Sequence, residues 1–206
     1  MTRAAELAKQ LRAAIEDERV LAAIASIPRE RFVGGLEQHR AYENVALPIT
    51  CGQTISQPLV VARMLELLEL GPEDRVLDIG TGSGYHAALL ALLAGQVFTI
   101  ERHPELTERA SEATSALGLD NIEFFIGDGW DGLPQRAPFD AINVAAATGE
   151  RAPMALEDQL VPGGRLVAPV GATEQHLMLI RRTPRGLERL LLEAVRFVPL
   201  VRDDDG

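Results

Sequence analysis

Between Arg75 and Leu93 a short apolar stretch, the loop Gly80-Thr81-Gly82-Ser83-Gly84 and an Ala/Leu-rich segment of helical length follow one another with no spacer. Few folds accept that order. A strand feeding a glycine loop into a helix is the opening unit of a parallel sheet. The glycines permit a tight turn and a ligand close to the backbone, with the helix N-terminus aimed at it. The alternation continues with strand patterns at Val97–Ile100, Ile122–Ile126 and Ala141–Val144, and with a helix that carries Pro104 in its first turn and Gly118 at its end. A helix over Pro153–Leu160, the turn Pro162-Gly163-Gly164 and a strand over Arg165–Val170 follow. Leu177–Ile180 and Val195–Val201 enclose no clear helix beyond Leu187–Leu192, so an antiparallel hairpin is expected there. Upstream, Leu7, Leu11 and Ile15, then Val20, Leu21, Ile24 and Ile27, mark two amphipathic helices. Arg29–Gln57 reads as loop with short strands, and a helix runs from Pro58 to the stop at Gly71-Pro72.

The pattern predicts an α/β fold, a doubly wound Rossmann-like sheet, mostly parallel with an antiparallel C-terminal hairpin and preceded by N-terminal helices. One domain is expected, in which residues 1–71 form a helical and loop extension, 72–201 the α/β core and 202–206 an acidic tail.

Charge and composition narrow the function. The 20 Lys and Arg against 30 Asp and Glu leave a formal charge of −10, which disfavours a phosphate-backbone partner. Lys9 is the only lysine, so neither a Walker loop nor a Schiff-base lysine is available. The longest apolar run, Ala87–Ala94, is far below the roughly 20 residues that span a bilayer. Glu6 and Lys9 interrupt any signal-peptide core, and Cys51 has no cysteine to pair with, so a cytoplasmic address is expected. His39, His86, His103 and His176 show no metal-ligand spacing, and no metal is expected.

Three acids stand at successive strand ends. Asp78 lies two residues before Gly80, Glu101 follows 23 residues later, and Asp128-Gly129 closes the third strand. Asp78 would repel a pyrophosphate and attract an ammonium, and the loop spacing is GxGxG rather than the dinucleotide GxGxxG. Glu101 has the spacing of a carboxylate that grips two ribose hydroxyls, and Asp128-Gly129 would meet an adenine. An adenosine joined to a cationic amino acid is S-adenosylmethionine. The cofactor set is therefore Asp78, Gly80, Gly82, Gly84, Glu101, Asp128 and Gly129. Trp130, the next residue, is expected beside the adenine end. The plainer alternative makes Asp78 and Asp128 helix caps and Glu101 a surface charge.

These residues resemble the S-adenosylmethionine-dependent methyltransferase fold. Pro28-Arg29-Glu30-Arg31-Phe32-Val33, Ala41-Tyr42-Glu43, Leu47-Pro48-Ile49 and Gly52-Gln53-Thr54-Ile55-Ser56-Gln57-Pro58 are similar to the N-terminal half of the protein-L-isoaspartate O-methyltransferase family. The likeness runs through Asp78–Tyr85, Gly127-Asp128-Gly129, Pro138–Ala141, Pro162-Gly163-Gly164 and Pro169-Val170-Gly171 to Phe197–Val201. It implies methyl transfer from S-adenosylmethionine, leaving S-adenosylhomocysteine, to the free α-carboxylate of L-isoaspartyl residues. The partners implied are damaged proteins and peptides, with no nucleic acid or membrane, and a monomer. The ester then collapses to a succinimide unaided.

Ser56 takes the catalytic position, its hydroxyl donating to a substrate carboxylate that is already ionised near neutrality. Gln53 and Thr54 are assigned to the cofactor, and Thr54, Ile55, Ser56 and Ala145 to the substrate. Ser56 reads equally as the N-cap of the helix from Pro58. Two stretches depart from the family pattern. Thr50-Cys51 stands where Gly-His is usual, and Ala145–Gly149 differs from the usual Thr-Ala-Ala and proline-containing turn. Other readings of the same chain are a methyltransferase for a small molecule or RNA, or a non-catalytic adenosylmethionine-binding module. The Pro-Cys setting for cytosine and the Asp/Asn-Pro-Pro-aromatic motif for adenine are both missing.

Overall fold

The computed structural model describes residues 1–202. The proposed acidic tail, from Asp203 on, lies outside the described residues. The chain opens with α1 (Arg3–Leu11) and α2 (Glu18–Ser26), each started by a side-chain cap. Thr2 accepts the Ala5 N–H and Asp17 the Arg19 N–H, satisfying amides that a first helical turn leaves open. Two 3₁₀ turns, Arg29–Phe32 and Gly35–Arg40, follow. The two-residue strands β1 (Leu47–Pro48) and β2 (Thr54–Ile55) pair antiparallel around the turn Thr50–Gly52. Next comes α3 (Pro58–Leu68), with proline in its first turn, where a missing N–H costs nothing.

The main sheet contains β3 (Arg75–Ile79), β4 (Gln96–Glu101), β5 (Ile122–Ile126), β6 (Phe139–Val144), β7 (Leu160–Val170), β8 (Gln175–Thr183) and β9 (Gly186–Val195), with α4 (Tyr85–Leu93), α5 (Pro104–Ser115) and α6 (Met154–Asp158) between strands. Its order is β5-β4-β3-β6-β7-β8-β9. β5 to β7 pair parallel through β4, β3 and β6, whereas β8 and β9 run antiparallel. The strand order therefore reverses between β3 and β6, and an open α/β sheet binds its ligands at the carboxyl ends of such a pair.

Alternate residues on each strand face opposite sides. Val76, Val97 and Ala141 join the large cluster built by α1 to α4, while Leu77, Phe98 and Ile142 pack with Leu156 of α6 on the other face. Residues of the N-terminal extension thus share one continuous core with the sheet, as Leu7, Ile24 and Leu65 do with Val76 and Leu89. α4 is buried almost all round, which explains its lack of an amphipathic stripe.

The C-terminal strands depart from expectation. Leu187–Leu192, which resembles a helical run, belongs to β9, and the expected strand Val195–Val201 is irregular apart from Val195, where β9 ends, and one bridging contact at Pro199. β9 is an edge strand with most side chains exposed, so the in-out alternation that marks a half-buried strand is weak there. The turn expected at Pro162-Gly163-Gly164 lies within β7, as an irregularity in its register with β6.

Candidate active site

The carboxyl ends of β3, β4, β5 and β6 surround a cavity of about 320 Å³. Backbone hydrogen bonds lock the loops around it. Gly80 N–H donates to Ile100 O, Gly127 N–H to Glu101 O and Ala145 N–H to Ile79 O. Gly80 and Gly82 line the cavity with φ of 86° and 52°, in the left-handed region that favours glycine.

Glu101 is the acid that faces the cavity. It is buried, and its two carboxylate oxygens accept the Gly82 and His103 N–H groups, each at 3.0 Å. Those bonds fix the carboxylate and leave it further acceptor capacity for vicinal hydroxyls. Gly129 lines the wall beside it, where a Cβ would come 2.5 Å from Ile79 Cγ2.

Three other residues assigned to the cofactor from the sequence are placed away from the cavity wall. Asp78 does not face the cavity. It is fully buried, with Oδ1 accepting from Asn143 Nδ2 at 2.7 Å and Oδ2 from Thr99 Oγ1 at 2.9 Å. The register sets Asp78 beside Thr99 on one side and Asn143 on the other, so the three side chains form a polar row across β4, β3 and β6. Thr99 in turn meets Thr81 of the glycine loop at 2.6 Å. Burial pushes the Asp78 carboxyl up to about 6, with the Asn143 and Thr99 bonds acting the other way. Gly84 lies under α5 rather than against a ligand, since a Cβ there would sit 2.7 Å from Ala110 Cβ. Asp128 lies outside the wall and accepts the Trp130 N–H at 2.8 Å, holding the turn that presents Gly127 and Gly129. Trp130 is likewise absent from the wall, and Arg202 lies over its ring at 6.0 Å.

The other wall comes from two distant segments. Gln53, Thr54, Ile55 and Ser56 enter from the β1–β2 region, and Val198, Pro199, Leu200 and Val201 cross from the C-terminus. Nothing in the apolar pattern marks the second segment as a cavity wall. Ala147 anchors it by donating its N–H to Val198 O and accepting the Leu200 N–H, both at 2.8 Å. Gln53 lines the wall but turns its amide to Cys51 O at 3.4 Å. His86 also borders the cavity, and burial pushes its imidazole down to about 4, so it is neutral.

A second groove meets the first at Thr54, Ser56 and Val198, which line both. Ile55 and Ala145, assigned to the substrate from the sequence, border only the first cavity. Ser56 does not cap α3. Gln57 holds the N-cap position without a side-chain bond, and Asn44 Oδ1 takes the Leu59 N–H at 3.0 Å. The segment carrying Asn44 is fixed by Arg29, fully buried, which donates to Ala41 O at 2.7 Å and lies over the Tyr85 ring. The Ser56 hydroxyl has no hydrogen-bond partner among the described residues.

S-adenosylmethionine suits this cavity. A ribose has an anchored carboxylate in Glu101, the bare glycine-loop backbone at Gly80 and Gly82 leaves the cavity open for the amino-acid part, and Gly129, packed close on Ile79, brings the opposite loop backbone to the nucleoside end. Among the described residues no group of three or more His, Cys, Asp or Glu is placed to hold a metal ion. Nor is any of their helices long and apolar enough to cross a membrane.

Fold and cavity together define a Rossmann-like methyltransferase that uses S-adenosylmethionine. Residues 2–205 match the family model for protein-L-isoaspartate(D-aspartate) O-methyltransferase (PCMT). The chain is 55% identical over 201 residues to a protein-L-isoaspartate O-methyltransferase of Cronobacter sakazakii, covering 96% of this chain and 95% of that one. A solved protein-L-isoaspartate O-methyltransferase superposes with a TM-score of 0.86 at 27% identity, over 96% of this chain and 66% of that longer one. Another, from Plasmodium falciparum and in complex with S-adenosyl-L-homocysteine, superposes with a TM-score of 0.84 at 25% identity, over 98% of this chain and 99% of that one. The chain belongs to the protein-L-isoaspartate(D-aspartate) O-methyltransferase family.

Proposed function

We propose that the chain methylates the free α-carboxylate of L-isoaspartyl residues in damaged proteins and peptides, with Ser56 orienting that carboxylate where the two grooves meet. The observation that carries this is the unpartnered Ser56 hydroxyl in the wall shared by the cofactor cavity and the second groove. In this reading Glu101 holds the ribose hydroxyls, Gly127 and Gly129 line the cavity where the base lies, and Gly80 and Gly82 present the loop backbone to the amino-acid end. S-adenosylmethionine, when bound, supplies a methyl group made electrophilic by the sulfonium.

The chain's own contribution is positional. An isoaspartyl α-carboxylate is ionised at neutral pH, so no side chain has to remove a proton from it. The Ser56 O–H donates to one carboxylate oxygen and leaves the other free to attack. Thr54 and Val198 line the same junction, so the carboxylate is aligned where the two grooves meet. The extension 1–71 supplies the Ser56 side of the junction, and the core from 72 on supplies the cofactor side and the C-terminal strap. All of these groups come from one chain, which supports a monomer as the working unit. The net charge of −10 supports a protein or peptide partner over a nucleic acid, and the unpaired Cys51 agrees with a reducing, cytoplasmic setting.

Labelled methyl transfer to an isoaspartyl peptide, run beside its aspartyl twin, tests the reading. Label in the isoaspartyl peptide alone, lost as the ester collapses to succinimide, is the expected result. Equal labelling of both peptides, or of neither, overturns it.

A further inference from the structure

The second groove holds three charged side chains, Arg63, Glu193 and Arg196. Two of them neutralise each other. Arg63 donates to Glu193 at 3.1 Å and to Glu66 at 2.7 Å, so its charge is met by two carboxylates and Glu193 is met by Arg63. Arg196 is exposed and has no ion pair or hydrogen bond from its side chain among the described residues. Arg196 also lines a neighbouring hollow with Glu174 and His176, and among the described residues it forms an ion pair with neither.

The backbone around Arg196 is held on both sides. Val195 pairs with Gln175, whose amide brackets the next residue by accepting the Phe197 N–H at 2.6 Å and donating to Phe197 O at 3.2 Å. Val198, two residues on, is tied to Ala147 and lines the junction with Ser56. Two residues of extended chain cover about 7 Å. A free guanidinium is therefore swung from a fixed point about two residues away from the place where the methyl-accepting carboxylate sits. In a chain of net charge −10, it is the one positive charge in this groove without a partner among the described residues.

We infer that Arg196 is a specificity-determining residue that selects isoaspartyl substrates carrying a second carboxylate, an Asp or Glu side chain within two residues of the damaged site. The inference rests on the function proposed above and names the substrate class that the groove favours. An exposed ion pair of this kind changes relative specificity by about two- to fivefold, enough to rank substrates without governing turnover.

The test is a set of end-blocked isoaspartyl peptides in which Glu is placed at each position from two before to two after the isoaspartyl residue, each paired with a Gln peptide. The readout is the Glu/Gln ratio of kcat/KM within each protein, so effects common to both peptides cancel. The unmodified protein is expected to favour Glu about two- to fivefold in at least one position, and less so at high salt. Arg196→Gln is expected to bring that ratio to one, Arg196→Glu to invert it, and Arg196→Lys to restore most of it. A ratio of one at every position in the unmodified protein, or a preference that survives in Arg196→Gln, overturns the inference while leaving methylation of the Gln peptides intact. Failure to methylate the Gln peptides at all overturns the function itself, and this inference with it.

Discussion

The two sides of the catalytic junction are built differently. On the cofactor side, the backbone does most of the holding. Gly80 and Gly82 take the left-handed turn of the loop, Gly129 lets its own loop pack on Ile79, and Glu101 is fixed by two loop N–H groups. On the substrate side, a side-chain hydroxyl and a strap cross from segments more than 140 residues apart, Ser56 and Val198, and meet only in the folded chain. A site made of backbone follows from strand order and loop composition, so it is shared by many chemistries. Under the proposed function, the side made of separate segments carries the choice of substrate.

If that division is right, damage to one side should spare the other. The largest expected effect is at Glu101. Glu101→Ala removes the acceptor of the Gly82 and His103 N–H groups together with the carboxylate offered to the ribose. S-adenosylhomocysteine affinity by calorimetry should fall by about 2 to 3 kcal/mol, on the order of 100-fold. Unchanged affinity would break the cofactor side of the comparison.

A smaller effect sharpens the correction at Asp78. Its carboxyl is raised to about 6 in the folded protein by burial, against about 4 for an unfolded aspartate. The folded state therefore binds this proton more tightly than the unfolded state. The stability due to Asp78 rises as pH falls from about 6 to about 4, with a slope of at most about 1.4 kcal/mol per pH unit, and is lost as pH rises through 6. Asp17, Glu66 and Glu69, all lowered, act in the opposite sense, so the comparison must be between variants. Urea titrations of the unmodified protein and Asp78→Asn should differ most in slope across that window. Parallel slopes, or a reversed difference, would show an Asp78 held ionised and return it to the role of a charge facing the ligand.

The same contrast explains what could be read from the sequence. β3, the glycine loop and Glu101 were legible because a parallel strand and its loop are local, and the spacing from Asp78 to Glu101 carries one β–α–β unit. The direction of the Asp78 side chain was not. It depends on which face of β3 meets Thr99 and Asn143, and those neighbours are set by pairing across three strands. Ser56 is legible through family likeness, but its competing role as a cap is decided by Asn44, 15 residues before Leu59, which takes the Leu59 N–H. The strap from Val198 to Val201 reads as a strand in its apolar pattern, yet its backbone is tied to Ala147 by two hydrogen bonds instead of a full ladder, and nothing local tells a strand from a cavity wall. β9 was misplaced because an edge strand exposed on both faces lacks the alternation by which strands are recognised.

The division is tested most directly by Ser56→Ala, with methyl transfer to an isoaspartyl peptide measured at saturating S-adenosylmethionine and S-adenosylhomocysteine affinity measured on the same preparation. Its hydroxyl has no partner among the described residues, so the substitution leaves no buried group stranded. Transfer should fall by about 10- to 1000-fold, as expected when a desolvated hydrogen bond to a carboxylate is lost, while affinity stays within about twofold. Full activity in the folded variant, or a loss of affinity as large as that of Glu101→Ala, would contradict the account.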